Sequence, residues 1–289
     1  MKRIFFTLAS ARSGTLFLRG VFENNVRDCD SRHEPFFDWG NPTLFGPAIY
    51  DAHAGRHDRI NQRLLKKQRY IDRLPGNVYL ESSHAFLKSI YVAALDVFPQ
   101  LDLIHIIRDP LKVARSEAYR EDWRRRLHAP FHFYKGDDGK RHFCWALTGN
   151  EEIFKHLEEQ PLTLFQWYVV QWIEIENRAI RFVQEHNLHD RYFVLHSPRD
   201  LNDANKIREM FEFFDLPLKS DRVLLAGRKN QSFGYKSVES AEEQQKFADV
   251  ICRIPQHYLD IFRREPYSNF GWSSRLRRSE RQSSLHHAH

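Results

Sequence analysis

Short apolar runs recur along this chain, and each run ends at polar or charged residues. Runs of this length that are rich in β-branched and aromatic residues predict strands that are buried on both faces, as in a parallel sheet. The predicted strands are Ile4 to Leu8, Val78 to Glu81, Leu101 to Ile107 and Tyr192 to Leu195, with a weaker and more polar candidate at Val26 to Arg32.

Between these runs, apolar residues recur at helical spacing. The clearest case is Thr163 to His186, where an apolar stripe follows one side of a long amphipathic helix. Further helices are predicted from the first turn to about Asn25, and at Arg56 to Arg73, Ala85 to Phe98, Pro110 to Tyr119 and Asp203 to Phe214. This alternation predicts an α/β fold in which helices flank a central parallel sheet, with one domain over residues 1–272. Residues 120–160 break the alternation and are predicted to be an insertion, whereas residues 273–289 read as a disordered tail.

The turn after the first strand is the first candidate for chemistry. Ser10 to Thr15 places small residues around Gly14, so that successive backbone N–H groups can point at an anion where a helix begins. Arg12 adds a fixed cation, and Ser13 and Thr15 add hydroxyls. The turn differs from a nucleotide-hydrolase P-loop, because Ala9, Thr15 and Leu16 stand where such a loop has glycine, lysine and serine or threonine. The simpler alternative, an ordinary strand–helix connection with a surface arginine, stays open.

Other predicted strand ends carry groups that suit the same crevice. Glu34 follows the second strand and precedes Pro35, which favours an extended conformation there. Because the carboxyl ends of parallel strands meet at one edge of a sheet, Glu34 is expected near Arg12, where a general base belongs. His84 follows the Val78 to Glu81 strand. A solvent-exposed His33–Glu34 pair and a helix-capping or core role for His84 are the competing interpretations.

A cation also follows the strand that ends at Ile107. Arg108 leaves this strand, and Ser116 lies eight residues later on the following helix, where both could grip one phosphate. A basic loop bounded by Gly227 and Gly234 contains Arg228 and Lys229 and is predicted to fold over a phosphate as a lid.

Charge and cysteine content limit the classes of partner. The 289 residues have a formal net charge of +6, which favours anionic ligands, but no basic run interleaved with aromatics predicts nucleic-acid binding. The three cysteines are widely spaced, which predicts free thiols and no zinc site. No apolar stretch predicts a signal peptide or a transmembrane segment, so the expected compartment is cytoplasmic.

Three motifs together resemble the sulfotransferases that use 3′-phosphoadenosine 5′-phosphosulfate (PAPS). They are Ala11 to Thr15, Glu34–Pro35, and Arg108–Asp109–Pro110 followed by Ser116, with a weaker likeness at Trp172 to Arg178 and Arg228 to Asn230.

The resemblance implies a P-loop NTPase-like three-layer fold, and residues 120–160 would then shape the acceptor site. It implies that the turn Arg12, Ser13, Gly14, Thr15 and Leu16 holds the 5′-phosphosulfate and that Arg108 with Ser116 holds the 3′-phosphate. Arg228 and Lys229 would close over the nucleotide. Glu34 corresponds to the catalytic glutamate of glycan-modifying members, and His84 is the reserve candidate for the base. No metal is expected. Because Ser82 to His84 lacks the lysine and proline usual in those members, the acceptor class stays open.

Two other functions remain alternatives. A nucleotide or small-molecule kinase would need magnesium and a phosphate-binding lysine in the first turn. A noncatalytic module that binds acidic glycans would need only the basic surface.

Overall fold

Five parallel strands form the centre of the molecule. The computed structural model describes residues 2–35, 40–227 and 240–277. In chain order, the strands are β1 (Arg3–Ala9), β2 (Cys29–Arg32), β3 (Val78–Glu81), β4 (Asp102–Arg108), β5 (Phe133–Lys135), β6 (Arg141–Phe143) and β7 (Tyr192–Ser197). The main sheet has the order β2-β3-β1-β4-β7 with every neighbouring pair parallel, whereas β5 and β6 form a separate antiparallel hairpin.

Helices follow most of these strands. In chain order, they are α1 (Thr15–Asn25), α2 (Pro47–His53), α3 (His57–Arg73), α4 (Ala94–Val97), α5 (Pro110–Arg126), α6 (Glu152–Lys155), α7 (Leu164–Glu185), α8 (Ala204–Phe213), α9 (Ala241–Arg253) and α10 (Gln256–Leu259). Turns of 3₁₀-helix lie at Phe86–Lys88, Ile90–Ala93, Pro130–His132, His189–Arg191, Asp200–Asn202, Asp260–Arg263 and Ser273–Leu276. None of the helices in the described ranges combines the length and apolar composition needed to cross a membrane.

The sheet is covered on both faces, because successive strand residues point to opposite sides. In β1, Phe5 packs with α1 and α8 residues in one core, while Phe6 packs with α7 residues in the other. The same alternation holds in β4, where Leu103 and Ile104 enter different cores. The predicted three-layer α/β fold with a central parallel sheet is therefore confirmed, and the strand–turn–helix unit of a P-loop-like fold occupies its central strand.

The long helix α7 supports one face of the sheet. Thr163 begins it with a capping box, in which its hydroxyl accepts from the Gln166 N–H and the Gln166 side chain accepts from the Thr163 N–H. Its apolar stripe is buried, with Tyr168 and Trp172 almost inaccessible to solvent. The predicted bounds of this helix agree with the structure to within one residue at each end.

Three predicted boundaries are wrong. Ala85 to Phe98 forms two 3₁₀ turns and the short helix α4 instead of one helix. Helix α5 continues through Arg126, beyond its predicted end at Tyr119. Leu276 is fully buried in a 3₁₀ turn, so the predicted tail does not begin at 273.

Candidate functional site

A cavity of about 470 Å³ opens at the carboxyl edge of the main sheet. All five strands of the sheet, or the segments that follow them, contribute to its wall, as expected for a ligand crevice in an open parallel sheet. The lining residues are Arg12, Gly14, Thr15, Leu16, Phe17, His33, Glu34, His84, Arg108, Arg120, Ser197, Pro198, Leu201 and Asn202.

The turn after β1 has an unusual backbone. Arg12 has a φ of +63° and Gly14 a φ of +111°, both in the left-handed region that side chains disfavour. A Cβ at Gly14 would lie 2.4 Å from Cδ1 of Leu201, so a larger residue would have to displace the end of that side chain in addition to adopting the disfavoured φ. The turn then leads directly into α1, where the Leu18 N–H donates to the Gly14 carbonyl. The first N–H groups of α1 therefore face the cavity beside Thr15 and Leu16.

Arg12, Arg108 and Ser116 form one set of contacts. Nε of Arg12 donates to Oγ of Ser116 at 3.0 Å, and Nη1 of Arg108 donates to the Arg12 carbonyl. Burial lowers the pKa of the Arg12 guanidinium, and the charge of Arg120 lowers it further. Because an arginine stays protonated in proteins, this lowered pKa marks a site where an added anion would be favourable.

Ser13 does not reach the cavity. Its side chain is buried, and its hydroxyl donates to the Ser10 carbonyl at 2.6 Å inside the turn. The expectation that this hydroxyl holds a phosphate or sulfate oxygen therefore does not fit its position, because its proton is already committed to the backbone.

Glu34 and His84 lie side by side in the lining of the cavity. Nε2 of His84 lies 2.9 Å from Oε1 of Glu34, and the Glu34 side chain is 15% exposed. Burial alone would raise the pKa of the Glu34 carboxyl, but His84, His33 and Arg120 lower it below its ordinary value. Glu34 is therefore an ionised carboxylate at neutral pH and can accept a proton.

The sequence analysis missed Arg120 as a site residue. It lines the cavity from α5, its guanidinium lies 3.4 Å from the buried Glu117 carboxylate, and it covers the rings of Phe143 and Trp145. Burial lowers the pKa of Arg120, but Glu117 and Glu34 raise it more. A signal was present in the chain: Arg120 follows Ser116 by four residues, which puts both on one face of a helix.

Lys88 was also missed. Its side chain is buried, and Nζ lies 3.1 Å from Nδ1 of His84 while donating to the Trp145 carbonyl at 2.5 Å.

A second buried carboxylate supports the turn from below. Glu176 of α7 accepts hydrogen bonds from Ser10 at 3.3 Å and from the Tyr267 hydroxyl at 2.8 Å, and Nε2 of His105 lies 2.9 Å from it. Glu176 is completely buried, so these partners satisfy a carboxylate that has no access to water. The start of the anion turn is therefore fixed to α7, β4 and the C-terminal segment.

The set of groups at the cavity suits an anionic ligand. Among the described residues, its lining includes three guanidinium side chains, those of Arg12, Arg108 and Arg120, and one carboxylate, that of Glu34. Arginine forks and helix N–H groups are the donors that phosphate and sulfate prefer. Arg228 and Lys229 lie outside the described residues, and within those residues no group of three or more metal-ligating side chains occurs.

Comparisons with known proteins give a structural likeness without a family. No protein-family model matches the chain, and no curated protein matches it in sequence. Among solved structures, it is similar to the crystal structure of a sulfotransferase from Alicyclobacillus acidocaldarius, with a TM-score of 0.46 and 16% identity over 91% of this chain and 100% of that one. Likeness at this level identifies no activity, so the functional argument rests on the residues that line the cavity.

Proposed function

We propose that this protein is a sulfotransferase that moves a sulfuryl group from PAPS to a hydroxyl or amine of a glycan or small-molecule acceptor. One observation carries the proposal: Arg12, Glu34 and Arg108, which follow three different strands, line one cavity. Had these residues been on separate sides of the molecule, two anion sites and a base could not serve one reaction. The resemblance of the three sequence motifs to the PAPS-dependent enzymes supports this donor over other nucleotides.

In this proposal, the first turn binds the 5′-phosphosulfate of the donor. Arg12 and the N–H groups around Gly14, Thr15 and Leu16 provide the positive charge and hydrogen-bond donors. Ser13 would contribute its backbone N–H alone, since its hydroxyl donates within the turn.

The 3′-phosphate of the donor would bind to Arg108 and Ser116. Both residues contact Arg12, so the two anion sites adjoin. Arg228 and Lys229 complete the donor site in this proposal by closing over the nucleotide.

The donor supplies a sulfuryl group already activated by its phosphate leaving group. Glu34 accepts the proton of the acceptor hydroxyl or amine as the new bond to sulfur forms. Arg12 and the turn N–H groups stabilise the negative charge that grows on the bridging oxygen as the bond to the leaving group breaks. These donors are fixed before the reaction, so they need little reorganisation.

A kinase of the same fold is the second candidate. The first turn has Thr15 where a P-loop has its phosphate-binding lysine, so the cation of this turn, Arg12, stands at a different position. A noncatalytic module for acidic glycans is the third candidate. The Glu34 carboxylate in the cavity wall argues against it, because a negative charge there would repel an acidic glycan.

Calorimetric titration with adenosine 3′,5′-bisphosphate tests the donor site. We expect saturable binding by the wild type and binding about 10- to 100-fold weaker in Arg12→Ala and Arg108→Ala, since hydrogen bonds to charged groups contribute ~1.5–3 kcal/mol. Arg263→Ala is the matched control, because this arginine is 53% exposed and does not line the cavity.

A transfer assay completes the test of function. With ³⁵S-labelled PAPS and a panel of hydroxyl and amine acceptors, label should move to an acceptor in the wild type and control, and far less in the two cavity variants. Transfer of labelled phosphate from ATP in the presence of magnesium would favour the kinase instead. Absence of saturable nucleotide binding would leave only the glycan module.

A further inference from the structure

Lys88 occupies a buried position that neither donor binding nor proton transfer explains. Its side chain is 1% exposed and does not line the cavity. Burying an ammonium group is costly unless it has partners, so its contacts identify its task. Nζ donates to the Trp145 carbonyl at 2.5 Å and lies 3.1 Å from Nδ1 of His84.

The contact with Lys88 fixes the proton of His84. An ammonium group only donates hydrogen bonds, so Nδ1 of His84 must present its lone pair to Lys88. The single hydrogen of a neutral ring then sits on Nε2, which is the nitrogen 2.9 Å from Oε1 of Glu34. An ionised carboxylate only accepts, so this tautomer suits both neighbours of the ring.

The surrounding charges agree with a neutral ring. Burial lowers the pKa of His84, and Lys88 lowers it further against the opposing effect of Glu34 and Glu117. Burial also lowers the pKa of Lys88, to about 8, so that Lys88 is charged at pH 7. Arg120 and Arg178 lower the pKa of Lys88, and Glu117 raises it. His33 and Arg120 lower the pKa of Glu34.

We propose that Lys88 is a positioning residue that holds His84 neutral, with its lone pair on Nδ1 and its proton on Nε2 beside Glu34, which leaves Glu34 as the group that takes the proton of the acceptor. The one lone pair of the neutral ring then faces Lys88, so the ring has none to offer an acceptor. The identity of the base rests on the proposed function, whereas the state of His84 does not.

Side-chain ¹H–¹⁵N NMR of uniformly labelled protein tests the state of His84 without any assay of activity. The His84 signals are assigned by their loss in His84→Gln. In the wild type at pH 7, His84 should be neutral with its proton on Nε2. In Lys88→Met, which keeps an unbranched buried side chain without the charge, the midpoint of His84 protonation should move up in pH. Lys88→Arg should keep the wild-type state, because it retains a charged donor.

Lys155→Met is the matched control, because this lysine is 56% exposed and paired with Glu152 at the surface. The proposal is overturned if wild-type His84 carries its proton on Nδ1 or is doubly protonated at pH 7, and equally if Lys88→Met leaves its midpoint unmoved. The wild-type measurement decides even if a variant fails to fold.

Kinetics then link this state to transfer. Lys88→Met should lower kcat about 10- to 100-fold, the range set by one hydrogen bond to a charged group, while its affinity for adenosine 3′,5′-bisphosphate stays at the wild-type value. Unchanged kcat in this variant would contradict the positioning role. If the wild type transfers no sulfuryl group at all, the proposed function fails, whereas the NMR result still decides the state of His84.

Discussion

Glu34 and His84 are close enough to exchange a proton, so at the scale of single residues the question is which of them acts as the base. Glu34→Gln removes the carboxylate and should lower kcat about 10²- to 10⁴-fold, the usual contribution of a general base. His84→Gln places an amide N–H near the position of Nε2 and should keep a larger share of the activity. Steady-state kinetics of both variants with one acceptor provide the measurement.

A larger loss of kcat in His84→Gln than in Glu34→Gln would identify His84 as the base. Binding of adenosine 3′,5′-bisphosphate serves as the control for both variants, because neither side chain belongs to the proposed donor site. In a variant that has lost nucleotide binding, the donor site or the fold is disturbed, and its kcat then says nothing about proton transfer.

The residues whose position at one cavity the sequence predicted share one property. Arg12, Glu34 and Arg108 each follow a strand, and strand ends of a parallel sheet meet at one edge whatever the details of packing. Lys88 and Arg120 lie on helical segments, where the neighbour of a side chain depends on how the segment packs. Their contacts could not be read from the chain alone, and the roles of all five residues remain proposals.

The first turn is the element on which the candidate site depends, and Gly14 is its most constrained position. Gly14→Ala puts a Cβ at a φ of +111° and 2.4 Å from Leu201. We expect a loss of about 1–3 kcal/mol in the free energy of unfolding from strain of this kind, and weaker nucleotide binding because the turn N–H groups shift. Chemical denaturation and calorimetric titration measure the two effects.

Gly139→Ala is a suitable control for this change. Gly139 also has a positive φ, of +76°, but a Cβ there would meet nothing within 4 Å. It should lose stability through backbone strain alone and keep nucleotide binding. Equal loss of binding in both variants would argue against a special role for the first turn.

One segment shows why local pattern failed to predict an element. Apolar spacing predicts a helix over Ala85 to Phe98, yet Ser89 has a φ of −134° and interrupts it. Oγ of Ser89 lies 2.6 Å from the Leu44 carbonyl oxygen and 2.9 Å from the Ala85 carbonyl oxygen, so its one hydrogen is shared between these two acceptors or donated to the nearer, Leu44. Leu44 is distant in sequence, so this contact is invisible to any local rule. The long helix α7 was predicted well because its capping residue and its stripe are both local signals.

At the scale of the whole molecule, the buried His84 makes stability depend on pH. Burial lowers its pKa from the ordinary value of 6.5, so the unfolded chain binds a proton at a higher pH than the folded protein does. The free energy of unfolding should therefore fall as the pH drops through about 6.5, by up to ~1.4 kcal/mol for each unit of pKa difference. Denaturant titrations between pH 8 and pH 5 measure this.

Comparison with His84→Gln isolates the contribution of this histidine. Burial also lowers the pKa of His132 and His196, so the wild-type curve contains their effects as well. The stability of the variant should fall less steeply below pH 6.5 than that of the wild type. If the unfolding free energies of the wild type and the variant change in parallel over the whole pH range, His84 has the same pKa in the folded and the unfolded protein.

The single carboxylate of Glu176 joins parts of the chain that are synthesised far apart in time. Tyr267, which donates to the same carboxylate, lies more than 250 residues after Ser10 in the chain. During translation, the nascent turn therefore lacks one of its anchors until Tyr267 has left the ribosome. A ribosome-bound chain stalled before Tyr267 is expected to capture a nucleotide less tightly than the folded protein, however well its sheet has formed.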